Sequence, residues 1–532
     1  MRVPIATVHD PLSLSLVLRL TMVGLAWLAL FPITSVDAYY HLATGRRILD
    51  SGAIPRVGVG SATFGDRPWH DNEWGFQVVA ASLARAEMDE TGVWVLTPGS
   101  RTRLIALRAL CLGLTLAVLA AHMGAAGVDA LTRSVGLVLA AFLTFGNLFW
   151  TLRPQIFGYL LLAVTAWLVE RDRAAKRGSA AALLAVVALW ANVHGTFVVG
   201  IGLLATEAVG EWLDVARRRN PVASRARARR LTVVTLLSPA AACLNPHGYH
   251  QLLHPFLYLF RPEIYRGNAE WTSPDFLHLP LLVATAALLV VSLVARGSGR
   301  SADVLRCALF FVLAGSAIRH LPLAAIVWVP ILAAGLTAAA SRGGRLRRLL
   351  PTGPDGRRMV ARLASAGAIV AVIVLLSGAK FVGVVPRFDE RPVSPMPERE
   401  VRRIASHRPP GTIFNSYRFG GFLMFRLYPQ DVVFMDGRND LYRSFRDDVY
   451  NPILTAGPGW RSLWSEAVRE HDIRWVLVDE SDESERLAAE LRSDPAWQIE
   501  DFGSAGGDRG SGVVLLSRRR PQAPPSDGDL TP

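Results

Sequence analysis

Cysteine is scarce. Cys111, Cys243 and Cys307 are the only three in 532 residues. Each lies in or beside an apolar run, with no second Cys nearby and no metal-ligand spacing. That excludes a disulfide framework and a zinc site, and leaves inert packing roles for the three thiols. The C-terminal third carries no phosphate loop or nucleotide motif. Acidic residues are outnumbered, 44 against 57 basic, for a net charge of +13. Such an excess would suit nucleic acid, but the arginines cluster in short loops between hydrophobic runs and the last third is mixed in charge. The pattern excludes nucleic acid as a partner and fits the positive-inside rule.

Apolar residues are plentiful. The chain is 51% hydrophobic without counting glycine, where soluble proteins reach about 45–50% with glycine included. Crossing a bilayer takes about 20 apolar residues. Candidate spans are 14–34, 103–122, 131–149, 155–170, 179–193, 196–213, 231–245, 279–295, 302–318, 321–340 and 360–383. The expected fold is a polytopic α-helical membrane protein of about 11 transmembrane helices, with a small C-terminal α/β extracytoplasmic domain. The expected organisation is a transmembrane domain over 1–385 with its first extracytoplasmic loop at 35–74, a linker at 386–410, the α/β domain at 411–518 and a disordered tail at 519–532. Segment 75–87 is amphipathic and too short to span.

Three arginine clusters set the orientation. Arg171 to Arg177, Arg217 to Arg230 and Arg342 to Arg362 fall in loops that this span count places on one side, the cytoplasm. The N-terminus is then inside, and Asp37 and the C-terminal domain are outside. Val36-Asp37-Ala38 looks like a signal-peptidase site. However, the apolar core exceeds the roughly 7–15 residues of a signal sequence, and only Arg2 charges its flank. The segment is expected to stay as a membrane helix.

With this topology the polar motifs gather on the outer face. They are 37–74, Arg153-Pro154-Gln155, Asn192-Val193-His194-Gly195, Asn245-Pro246-His247-Gly248, Glu270-Trp271 and Arg319-His320. An acidic residue at a membrane exit is a functional-site hypothesis by default, so an active site at the outer lip is expected. Asp37 and His41 are four apart and share a helical face. Asp37 can serve as a general base in a partly dry pocket. His41, His70, Asp71 and Glu73 can orient it, bind a divalent cation or contact sugar hydroxyls, and Tyr39, Tyr40 and Trp69 can stack on a sugar ring. Arg153 and Arg319 suit an anionic partner such as a lipid phosphate, although headgroup snorkelling explains each singly. Trp74, Trp150, Trp190 and Trp271 fit an interfacial aromatic belt. Asn245-Pro246-His247-Gly248 reads equally as a helix stop, His194 as part of a hairpin turn, and His320 as interfacial.

The pattern Asp37-x-x-Tyr40-His41-Leu42-x-x-Gly45-Arg46-x-Ile48, then Gly52-x-Ile54-Pro55, Ser61-x-Thr63 and Trp69-x-x-x-Glu73-Trp74, resembles bacterial membrane proteins of the C-type (GT-C) glycosyltransferase superfamily. Trp190-x-Asn192-x-His194-Gly195, Asn245-Pro246-x-Gly248, Glu270-Trp271, Asn415-Ser416-Tyr417-x-x-Gly420-Gly421 and Asp436-Gly437-Arg438 extend the resemblance over nearly the whole chain. The resemblance implies an inverting enzyme in the bacterial inner membrane. Its donor would be a polyprenyl-phosphate-linked sugar and its acceptor an extracytoplasmic glycan, lipid or protein. It implies Asp37 as the base that deprotonates the acceptor, with His41 beside it. Arg153, His194, Asn245, His247, Glu270, Arg319, Tyr40, Trp69, His70 and Glu73 would contact donor phosphate or substrate. The chain departs from the pattern where many members carry two neighbouring acidic residues, since Ala38 follows Asp37. A glycan polymerase or ligase on the same lipid carriers, and a non-catalytic transporter or scaffold on this fold, remain alternatives.

The C-terminal part alternates strand and helix: strands at 411–416, 432–436, 475–479 and 513–517, helices at 420–427, 460–470 and 484–492. Asp436-Gly437-Arg438 ends a strand, where an ion-paired turn or a ligand site would lie.

Overall fold

The computed structural model describes residues 11–28, 30, 35–144, 151–175, 178–217, 221–261, 264–265, 268–274, 285–286, 289–290, 300–342, 396–407, 411–430, 433–479, 484–500 and 512–519. Contacts divide the chain into two units. The first is Met1–Ser35, Asn72–Val79 and Arg101–Arg391; the second is Val36–Asp71, Ala80–Ser100 and Pro392–Pro532.

The first unit is helical. Helices at Pro11–Leu28, Pro98–Ala125, Ala130–Thr144, Gln155–Ala175, Ala180–Ala191, Phe197–Ala216, Pro221–Ala242, Ser301–Ser316 and Leu321–Arg342 overlie nine of the expected spans. The other two, 279–295 and 360–383, lie largely or wholly outside the described residues. Among the described residues, Pro98–Ala125 and Ile318–Ala338 are long and apolar enough to cross a membrane. Leu116, Leu162, Val187, Leu203, Phe310 and Trp328 form part of the buried core. Trp190 is not the belt residue its position suggested. It is fully buried, its ring lies where a side chain on Gly200 would sit, and its indole N–H donates to Thr196 Oγ1 at 3.1 Å. Trp150 falls outside the described residues. Cys111 and Cys307 are buried, Cys243 is partly buried, and all three are free thiols.

Arg227, read from sequence as a loop charge, is instead buried among acids, and Arg306 and Arg300 join the same cluster. Arg227 reaches Asp172 at 3.4 Å, Glu207 at 3.4 Å, and Glu211. Arg306 lies 2.9 Å from Glu207 and pairs also with Asp303. Arg300 lies 3.3–3.5 Å from Glu170, Glu207, Glu211 and Asp303. The physical reason is charge balance: buried ions persist only when paired and hydrogen-bonded.

The second unit is α/β. Strand β1 (Ala86–Met88) pairs antiparallel with β2 (Trp94–Leu96). The main sheet holds β3 (Thr412–Asn415), β4 (Ile473–Asp479), β5 (Trp497–Ile499) and β6 (Val513–Arg518) in the order β3-β4-β6-β5. Within this sheet the β3–β4 pair is parallel and the β4–β6 and β5–β6 pairs are antiparallel. β4 is buried along most of its length, as a central strand must be. Segment 432–436, expected as a strand, contributes single bridges, Val433 pairing with both Ile413 and Ser61. Residues of the first loop therefore extend the C-terminal sheet, with Ala62 N–H donating to Val433 O at 2.8 Å. The stretch read as linker contains the helix Glu398–Ala405, which buries Val401, Ile404 and Ala405 on one face.

Candidate active site

In the second unit, Asp37 opens the helix Asp37–Ser51. Gly52 ends it with φ 68°, a left-handed conformation that favours glycine, and its N–H closes on Ile48 O. Tyr39 packs edge-on against Phe422 at 5.0 Å and near Phe425 at 5.8 Å. Tyr40 and His41 are buried, their rings 3.9 Å apart. Two glycines of the C-terminal segment press on the same turn. A Cβ on Gly421 would lie 3.0 Å from Tyr40 N, and one on Gly437 would lie 2.9 Å from Asp37 Oδ1.

Gly437 is held by an ion pair. Arg438 Nε and Nη2 donate to the Asp436 carboxylate at 2.8 and 2.6 Å, and Arg438 N–H donates to the same carboxylate at 2.9 Å. Both side chains are buried. Burial alone would make Arg438 less basic, but the Asp436 charge outweighs it and holds the guanidinium protonated. Tyr442 donates to Asp436 Oδ2 at 2.7 Å, and burial followed by that same carboxylate pushes its phenol well up. Arg438 also donates to Val59 O at 2.9 Å and lies 4.9 Å over the Trp69 ring. Trp69 is a core residue of this unit, with Arg438 over its ring. His70 is partly buried. Asn415 Nδ2 donates to Met435 O at 2.8 Å and its Oδ1 accepts from Phe434 N–H at 3.2 Å, clamping the segment that leads into the turn.

In the first unit, Arg153 donates to Ser35 Oγ at 3.0 Å and to Glu270 Oε1 at 2.6 Å. Glu270 sits in the short helix Ala269–Trp271. Trp271 stacks between Tyr258 at 5.3 Å and Tyr265 at 4.6 Å, and Arg319 lies 4.5 Å over its ring. Arg319 thus lies over the aromatic cluster, and Arg153 pairs with Glu270, the residue before Trp271 in the same short helix. His194, in the turn between two helices, is buried, with Nε2 3.7 Å from Glu73 Oε1 and Nδ1 2.7 Å from Thr196 Oγ1. Burial, then the Arg319 charge, lowers its pKa to about 3, so the imidazole is neutral near pH 7. Asn245 acts as a turn clamp: its Nδ2 donates to Ala242 O at 2.6 Å and its Oδ1 accepts from His247 N–H at 2.7 Å. The His247 side chain is partly buried.

Sequence reading missed Tyr258, Tyr265 and His254 as members of these clusters. Asn72 bonds His254 Nδ1 at 3.0 Å. Asn192 latches the segment after the first loop: Trp74 Nε1 donates to its Oδ1 at 3.2 Å and Gly75 N–H to its carbonyl at 3.0 Å. The clustering of Tyr249, Tyr258 and Tyr265 before Trp271 was the available signal. Among the described residues no group of three or more His, Cys, Asp or Glu is placed to hold a metal ion.

No family model and no curated protein matches the chain. Solved structures do. Oligosaccharyltransferase AglB from Archaeoglobus fulgidus, in complex with an inhibitory peptide and a dolichol-phosphate, aligns at a TM-score of 0.62 and 10% identity, covering 91% of this chain and 71% of that one. The apo oligosaccharyltransferase from the same organism aligns at 0.55 and 11%, with the same coverage. A mycobacterial arabinofuranosyltransferase AftD aligns at 0.49 and 15%, covering 96% of this chain and 42% of its own. At these identities the likeness is one of fold: this chain shares the mostly helical fold of the Archaeoglobus fulgidus oligosaccharyltransferase.

Proposed function

We propose that this chain is an integral-membrane glycosyltransferase moving a sugar from a polyprenyl-phosphate donor to an extracytoplasmic acceptor. The observation that carries the reading is the fold match over 91% of the chain to an enzyme solved with a dolichol-phosphate. In the proposed reaction the Asp37 carboxylate takes the proton of an acceptor hydroxyl. The resulting oxygen attacks the anomeric carbon, the bond from that carbon to the phosphate oxygen breaks, and the configuration inverts. Polyprenyl phosphate leaves as an anion. Separately, within the first unit, Arg153, paired with Glu270, and Arg319, over the Trp271 ring, are groups whose charge suits a lipid phosphate. The arginine distribution supports a bacterial inner-membrane protein with a cytoplasmic N-terminus and an extracytoplasmic C-terminal domain.

The test is transfer of radiolabelled sugar from a panel of polyprenyl-phosphate sugars to cell-envelope glycan, lipid and protein acceptors by the purified enzyme. Wild-type transfer that Asp37→Asn abolishes supports the reading. A wild type inert with every donor favours a non-catalytic scaffold. Transfer unchanged in Asp37→Asn favours a carrier-dependent ligase that uses another base.

A further inference from the structure

We infer that Gly421 and Gly437, in the motifs Gly420-Gly421 and Asp436-Gly437-Arg438, position the Asp37 carboxylate. The inference rests on the proposed role of Asp37 as base. Its observations are geometric and independent of the sugar. A side chain on Gly437 would come within 2.9 Å of Asp37 Oδ1 and within 3.3 and 3.4 Å of the Tyr40 ring. One on Gly421 would come within 3.0 Å of Tyr40 N, 3.2 Å of Tyr40 Cβ and 3.3 Å of Val36 O. One on Gly420 would overlap Met435 O at 2.1 Å and Asp436 Cα at 2.6 Å. Segments 36–40, 420–421 and 435–437 are therefore in close contact: a side chain at Gly420 would strike backbone, and one at Gly421 or Gly437 would push on the turn and on the Asp37 carboxylate.

The turn that carries Gly437 is rigid, because the buried Asp436–Arg438 pair, Tyr442 and Asn415 hold it on both sides. Tyr417 adds a hydroxyl bond to Asn439 Oδ1 at 3.1 Å, just past the same turn. A general base must lie within about 2.6–3.2 Å of the proton it takes, and a misplacement of about 1 Å costs on the order of 10²-fold. Packing Gly437 against the carboxylate restricts where its oxygens can point. This gives a single physical reason for glycines in two motifs far along the chain from Asp37.

The experiment uses the full-length protein in detergent or nanodiscs. Gly437→Ala is expected to lower turnover roughly 10- to 100-fold, with the donor KM nearly unchanged. In an Asp37→Asn background the same substitution is expected to cost nothing further, because both act through one group. A second readout needs no substrate. Carbodiimide labelling of Asp37, followed by mass spectrometry, should rise several-fold in Gly437→Ala, while exposed Asp129 labels as before. Gly113→Ala, whose added methyl meets nothing within 4 Å, is the control and should match wild type. Unchanged turnover and labelling overturn the inference, as does a loss that stays additive with Asp37→Asn. If Gly437→Ala does not fold, Gly421→Ala is read in the same way; if neither folds, the glycines serve folding alone and the inference fails. A wild type that transfers no sugar sinks the glycosyltransferase reading instead, and the labelling arm then decides this one.

Discussion

Asp436 shows what a single buried charge controls. Replacing it with Asn leaves the Arg438 guanidinium ionised and unpaired inside the second unit, a loss of about 3–5 kcal/mol. Urea unfolding followed by Trp fluorescence should register it, and an unchanged midpoint would contradict the ion-pair assignment. His194 makes a pH prediction. Its ordinary pKa is near 6.5 and its folded value is about 3. Below pH 6.5 the unfolded chain gains a proton that the folded chain refuses, so stability falls as pH drops toward 3, by at most about 1.4 kcal/mol per pH unit. His194→Gln should flatten the melting temperature between pH 6.5 and 5 relative to wild type; an identical slope would contradict it. Some single residues were legible in the sequence and some were not. Asn245 beside Pro246 and Gly248 announced a helix stop, because turn chemistry is local. Trp69 did not announce its burial, because Arg438, the residue that covers it, lies in a distant motif.

At the scale of elements, the buried charges tie four helices together. Arg227 on Pro221–Ala242 and Arg306 on Ser301–Ser316 both reach Glu207 on Phe197–Ala216, and Arg227 also reaches Asp172 on Gln155–Ala175. Glu207→Leu should destabilise the first unit by about 3–5 kcal/mol, seen as a lowered melting temperature in detergent; retention of the wild-type value would show that the cluster is neutral to stability. The helices themselves were readable from apolar length, but this cluster was not. Arginine in a sequence carries no mark of whether acids from other helices will meet it. The platform Tyr258–Trp271–Tyr265 is likewise a tertiary arrangement. Trp271→Leu, which frees Arg319, is expected to raise the KM for a polyprenyl-phosphate donor several-fold with a smaller effect on kcat. An unchanged KM would remove the platform from donor binding.

For the whole molecule, hydropathy and arginine placement conveyed a helical membrane architecture, and the solved oligosaccharyltransferases share the fold. What they did not convey is that residues 36–71 belong with the C-terminal residues, because a bridge such as Ser61 to Val433 leaves no local periodicity. An alkaline-phosphatase fusion after Arg518 should be active and one after Ala216 inactive, and the reverse would invert the topology. The central claim concerns Asp37, and the most direct measurement is sugar transfer from a polyprenyl-phosphate donor by wild type and Asp37→Asn at equal folded concentration. The expected result is transfer by wild type and a loss of roughly 10²- to 10⁴-fold in the variant; equal rates in the two proteins would contradict it.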